Sequence, residues 1–113
     1  MMSDHELRAL RHPHVVAFHK FFSEYHIFFD LAAERFRVSI RVYETDDARY
    51  FFEQSHYIRT PVQDGANVMT LEKHDGPHGA LSRAVESITT YYEDAVGRGH
   101  EPCADWFVRN DVY

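Results

Sequence analysis

The chain has 113 residues, the size of one domain, and its single cysteine, Cys103, excludes an internal disulfide. Its net charge of −6, from twelve Lys and Arg against eighteen Asp and Glu, disfavours nonspecific attachment to nucleic-acid phosphates or anionic lipid. Ser3 to Arg11 is polar and charged and no apolar run could span a bilayer, so the expectation is one soluble cytoplasmic domain, residues 1–113, with no nucleic-acid or membrane partner.

Ser3-Asp4-His5-Glu6 fits a capping box at the start of a short helix carrying Leu7 and Leu10, and Pro13 stops it. The stretch His14 to Phe36 holds six of the nine phenylalanines. Val15, Phe18, Phe22, Tyr25, Phe29 and Ala32 recur at steps of three or four, whereas strict alternation fails at Phe21-Phe22 and at Phe28-Phe29. This spacing predicts a helix from about Pro13 to Arg35, roughly 34 Å long at 1.5 Å per residue, around which the other elements are organised.

From Phe36 the period changes to two, with Phe36, Val38, Ile40 and Val42 on one face and Arg37, Ser39, Arg41 and Tyr43 on the other. Thr45-Asp46-Asp47-Ala48 reads as a turn, and Arg49 to Arg59 as a second strand ended by Thr60-Pro61. Residues 61–79 would be a long bare loop, so a third strand is expected at Asn67 to Lys73. Leu81, Ala84, Val85, Ile88, Tyr91, Tyr92, Ala95 and Val96 form the apolar stripe of a helix stopped at Gly97 and Gly99, and the tail with Trp106 and Phe107 docks on it or on the sheet. The predicted fold is α+β: a three-stranded antiparallel sheet with a long aromatic-rich helix and a second amphipathic helix packed on one face.

With Asp46, Asp47 and Ala48 as the loop, the inward pairs are Val42 with Phe52, Ile40 with Gln54, Val38 with His56 and Phe36 with Ile58. The outward pairs are Tyr43 with Phe51, Arg41 with Glu53, Ser39 with Ser55 and Arg37 with Tyr57. A one-residue slip would bury Glu53 opposite Ile40. This register places Tyr43, Phe51 and Tyr57 among Arg37 and Arg41 on the outer face, a composition suited to the centre of a protein interface. It turns His56 inward beside Tyr50 and Gln54, which makes these three the candidate lining of a pocket.

Nine histidines are the compositional oddity. None of their spacings, including His12-Pro13-His14 and His19 with His26, is a zinc signature, and no metal or cofactor is expected. Cys103 follows His100 by three residues, but no orienting group or oxyanion donor can be named beside it, and no phosphate-binding glycine loop is present. Two functions remain. The first is a non-catalytic interaction or regulatory module, self-associating or binding another protein through Arg37, Arg41, Tyr43, Phe51 and Tyr57. The second is a small-molecule binder or enzyme with an apolar pocket between sheet and long helix near His56.

Overall fold

The computed structural model describes residues 2–113. The capping box forms as read, with Ser3 Oγ accepting from the Glu6 amide and Glu6 Oε1 from the Ser3 amide, each at 3.2 Å, and it opens helix α1, Asp4–Leu10. Three strands follow: β1, His19–Asp30; β2, Arg35–Thr45; and β3, Tyr50–Gln54. They make an antiparallel sheet in the order β1, β2, β3. A second, two-stranded sheet joins β4, His56–Ile58, to β5, Phe107–Arg109. Helix α2, Pro77–Gly97, crosses one face of the larger sheet.

The α+β class, the three-stranded antiparallel sheet and the amphipathic helix are as the sequence predicts. The long aromatic-rich helix is not: its residues form strand β1. From Ser23 onward burial follows a strict two-residue period, with Tyr25, Ile27 and Phe29 turned inward and Glu24, His26 and Phe28 outward. The two breaks in alternation have separate causes. At Phe21-Phe22 the register shifts by one residue, so Phe22 is the extra residue of a bulge. At Phe28-Phe29 nothing is displaced, because Phe28 faces outward and is 60% exposed. His19–Asp30 is rich in Phe and Tyr and contains neither alanine nor leucine, a balance that favours a strand. The helix formers Leu31-Ala32-Ala33-Glu34 instead make the hairpin turn, closed by mutual main-chain hydrogen bonds between Leu31 and Glu34.

The hairpin between β2 and β3 has the expected three-residue loop, with the Thr45 amide donating to the Arg49 carbonyl at 2.8 Å. Five pairs follow in register, among them Tyr43 with Phe51, Val42 with Phe52, Arg41 with Glu53 and Ile40 with Gln54. Beyond Gln54 the predicted pairing ends. Ser55 holds both main-chain groups of Ser39, donating its amide to the carbonyl at 2.9 Å while its Oγ accepts from the amide at 2.8 Å. His56, Tyr57 and Ile58 then leave β2 and pair with Arg109, Val108 and Phe107. The expected strand at residues 67–73 is also absent. That segment leaves Val68 and Leu71 exposed, and the bridge to β3, between Tyr50 and His74, comes just after it, so β1 supplies the third strand instead.

The core lies between the inner face of the sheet and α2. Ile40, Val42 and Phe52 meet Ala80 and Ala84 at one end. Val38, Phe29 and Ile58 meet Ile88, Ala95, Trp106 and Phe107 at the other, where Phe107 stacks on Phe36 at 4.5 Å. Small residues on α2 let the helix approach the sheet, and the β-branched row Val38, Ile40, Val42 fills the contact with no exposure. The longest dimension is 54 Å and the radius of gyration 16.8 Å, above the roughly 13 Å of a compact chain of about 100 residues. Long β strands without a helix on their outer side account for the excess.

Two turns set opposite demands on the backbone. Ala48 sits in the left-handed region at φ 58°, a conformation that suits glycine. Gly99, at φ 90°, closes α2: its amide donates to Val96 O and the His100 amide to Ala95 O, the hydrogen bonds of a Schellman motif. Ala48→Gly is therefore expected to stabilise the protein and Gly99→Ala to destabilise it, each by about 1 kcal/mol. Urea denaturation midpoints of the two variants should move in opposite directions.

Candidate interaction surface and the recess at His56

Alternation along β1, β2 and β3 sends one set of side chains away from α2. His19, Phe21, Glu24, His26 and Phe28 come from β1, Arg37, Arg41 and Tyr43 from β2, and Phe51 and Glu53 from β3. At one end Tyr43 and Phe51 stack at 5.0 Å, and the His19 ring meets both edge-on at 5.1 and 5.3 Å. Phe21 extends the cluster at 6.0 Å from Tyr43 and is 52% exposed. In the middle, Glu24 Oε1 accepts from Arg41 Nε at 2.8 Å and from the Tyr113 hydroxyl at 3.1 Å, while Oε2 lies 3.2 Å from His26 Nε2. Arg41 also lies over the Tyr113 ring, 3.9 Å from its centroid.

This network sets the charges of its members. Hydrogen bonds from Arg41, His26 and Tyr113 hold the Glu24 carboxyl well below its ordinary range, at about 2. Burial and the adjoining Glu24 carboxylate push Tyr113 up to about 12. The arrangement ties the last residues of the chain to the sheet through an ionised Glu24.

The residues singled out from sequence divide between several places. Arg37, Arg41, Tyr43 and Phe51 share the outer face, although Arg41 is held by Glu24 and Phe51 is only 6% exposed. Tyr57 is separate from them, because β4 has left the larger sheet; with Phe52, Gln54, Met69 and Val112 it lines a shallow depression of about 250 Å³. Tyr50, Gln54 and His56 do not share a pocket. Tyr50 joins the inner cluster and meets Phe22 edge-on at 5.4 Å. Gln54 is 2% exposed; its Nε2 donates to His56 O at 2.8 Å and its Oε1 accepts from Ser87 Oγ at 3.4 Å. The space between sheet and α2 is filled by side chains, not open as a pocket.

His56 instead lies at the seam between the two sheets. A recess of about 180 Å³ opens there, lined by Arg37, Ser39, Ser55, His56, Arg109, Asn110 and Tyr113. Ser55 Oγ is 2.8 Å from His56 Nδ1, and the Phe36 ring meets the imidazole edge-on at 4.9 Å. Burial, with a smaller contribution from Arg109, lowers the His56 pKa and favours the neutral ring. Asn110 locks the seam: its amide donates to Ser55 O at 2.8 Å and its Nδ2 to Gln54 O at 2.9 Å.

Phe21, Glu24, His26 and Phe28 escaped sequence reasoning because a helix was expected there; the alternation of Tyr25, Ile27 and Phe29 was the available signal. Arg109, Asn110 and Tyr113 reach the site only through pairing between distant parts of the chain, which has no local signature. Cys103 is exposed. Among the described residues, no group of three His, Cys, Asp or Glu side chains is arranged to hold a metal ion, and no helix is long and apolar enough to cross a membrane. The chain matches no protein-family model, and neither curated proteins nor solved structures include a match.

The Glu24 network carries a pH dependence whose sign follows from the lowered pKa. Its stabilising effect is complete above the ordinary glutamate value of roughly 4.3 and is lost as pH falls through about 2. Acidification across this window is expected to release Tyr113 from the sheet before the core melts. The Tyr113 ring resonances should shift toward random-coil positions in wild type, and at neutral pH they should already be shifted that way in Glu24→Gln.

Proposed function

We propose that the chain is a small non-catalytic interaction module that self-associates through the open side of its three-stranded sheet. A second copy adds its β1 to the free edge of the first. The observation that carries this reading is β1 itself, a twelve-residue edge strand, roughly 40 Å long, whose main-chain ladder among the described residues is with β2 alone, the Asp30 carbonyl at its end accepting also from the Tyr92 hydroxyl. Phe21 and Phe28 stand exposed on its outer face, and large apolar side chains beside an unpaired edge favour strand addition.

Several features favour a second copy as the occupant. The Phe22 bulge and Lys20 guard the first part of the edge, as charged and bulged edges do elsewhere, which confines pairing to Ser23 onward. A two-fold antiparallel pairing centred on Tyr25 sets Glu24 opposite the partner's His26, and His26 opposite the partner's Glu24. Centring on Ile27 would set Glu24 opposite the partner's Asp30, two carboxylates in register, so the first arrangement is preferred. Extended self-pairing also explains why a chain this short is built on strands longer than its core requires. The competing reading, an apolar small-molecule pocket between sheet and helix, has less support, since Ile40, Val42 and Phe52 pack against Ala80 and Ala84 there.

Sedimentation of wild type should give a dimer, and Phe28→Glu, just beyond the last pair, should weaken it by roughly fivefold by setting a carboxylate diagonally across from the partner's Glu24. Phe28 is 60% exposed, so the variant should keep the wild-type far-UV spectrum. A wild type that stays monomeric across the whole concentration range, or a dimer indifferent to Phe28→Glu, would overturn the reading.

A further inference from the structure

The recess at His56 differs from the rest of the outer face in its charge accounting. Although the chain carries an excess of six acidic groups, no carboxylate lines this recess, and two arginines do. The side chains of Arg37 and Arg109 have no ion-pair or hydrogen-bonding partner among the described residues, as is also true of Arg8, Arg11, Arg35 and Arg59, whereas Arg41, Arg49, Arg83 and Arg98 are each paired with an acid; at this recess two of the unpaired arginines line one cavity. The register explains the contrast. Arg41 faces Glu24 on β1 and Glu53 on β3; Arg37, four residues away on the same face of the same strand, faces Phe28 on β1 and lies beyond the end of β3. Arg109 faces His56 across the small sheet.

Several other polar groups around the recess are bonded to partners of their own. Ser55 Oγ accepts from the Ser39 amide and lies 2.8 Å from His56 Nδ1. Asn110 Oδ1 accepts from the Val112 amide, and the Tyr113 hydroxyl donates to Glu24. Two guanidinium forks with five N–H groups each line the recess with no acceptor assigned among the described residues, and a protonated His56 adds a further N–H at Nε2.

We propose that this recess is a binding site for a phosphate-type oxyanion, either free phosphate or the phosphoryl group of a small molecule. A tetrahedral anion presents several oxygens to donors arriving from three strands, where a carboxylate would satisfy one arginine fork and leave the other idle. The volume of about 180 Å³ holds the anion and a small substituent, several times the roughly 30 Å³ share of one water. The groups facing His56 are Arg109 from β5, Arg37 from β2, and Ser55 and Tyr113, none of them acidic. A bound dianion supplies the missing negative charge, so protonation of His56 favours binding and affinity rises as pH falls. This site is independent of the self-association reading, because it forms within one chain.

The test is titration of full-length protein with sodium sulfate and, separately, sodium phosphate at constant ionic strength, followed by the His56 ring resonances. Sulfate keeps its charge across the range, so its pH dependence reports the protein. A saturable shift with a midpoint at or below about 10 mM is expected, tightening at lower pH. Arg37→Gln and Arg109→Gln should each weaken binding roughly tenfold or more, Arg37→Lys less so, and Arg35→Gln, which alters a charge outside the recess, should leave it unchanged. A phosphorylated sugar binding more tightly than phosphate would identify a small-molecule ligand; equal affinity would identify free phosphate. An unsaturable shift, or equal weakening by Arg35→Gln, would reduce the effect to general screening and overturn the proposal. Repeating the titration at a protein concentration where sedimentation gives only monomer separates it from self-association.

Discussion

Side-chain alternation along β1 and β2 is the constraint on which the rest of the molecule depends. Because neighbouring residues must point to opposite faces, one decision about which side meets α2 assigns every side chain of two long strands at once. Tyr25, Ile27, Phe29, Val38, Ile40 and Val42 go to the helix, and Glu24, His26, Phe28, Arg37, Arg41 and Tyr43 go away from it. The bulge at Phe22 is the one place where this rule is broken, and it lets Phe21 join Tyr43 outside while Phe22 meets Tyr50. The outer surface is therefore not a separate design. It follows from the same alternation that fills the core.

The parts legible in the sequence were those with a local physical cause. The capping box at Ser3 and Glu6, the stripe of α2 and the loop Asp46-Asp47-Ala48 each depend on residues a few positions apart, and each is where it was expected. The register of β2 with β3 was readable for a different reason: the alternative buries Glu53, and that cost decides the alignment. What was misread was the stretch around Phe22. A strand with one bulge and aromatic residues on both faces leaves apolar residues at steps of three and four by accident, so the helical period matched a chain that is extended. Gln54 reaches His56 only through the His56 main-chain carbonyl, and the side chains of Tyr50, Gln54 and His56 do not line one cavity, because β3 does not keep its partner beyond Gln54.

That change of partner has a physical reason at Ser55. Its side chain satisfies the Ser39 amide, which would otherwise pair with another strand, and this frees the following residues to turn away. Phe107 and Trp106 then pack in the cluster with Phe29 and Ile58, where Phe107 also stacks on Phe36, and add aromatic burial to that end of the core. Asn110 compensates for the break by bonding the main chain on both sides of it. The split into two sheets is thus a trade between ladder hydrogen bonds and aromatic packing, with serine and asparagine satisfying the polar groups left over.

The same break separates two arginine environments on a single strand. Where β2 has neighbours on both sides, Arg41 stands between acids and is neutralised by the sheet itself. Where β3 has departed, Arg37 loses the flank on which the continued register would have set Tyr57, and β5 brings Arg109 to the recess beside it. Two like charges brought to one recess raise the electrostatic energy of the folded chain unless an anion or solvent screens them. An acidic chain had eighteen carboxylates from which one could have been placed here, and the topology places none. The packing that splits the sheet therefore leaves two arginines at a seam whose lining holds no Asp or Glu, within an otherwise acidic chain.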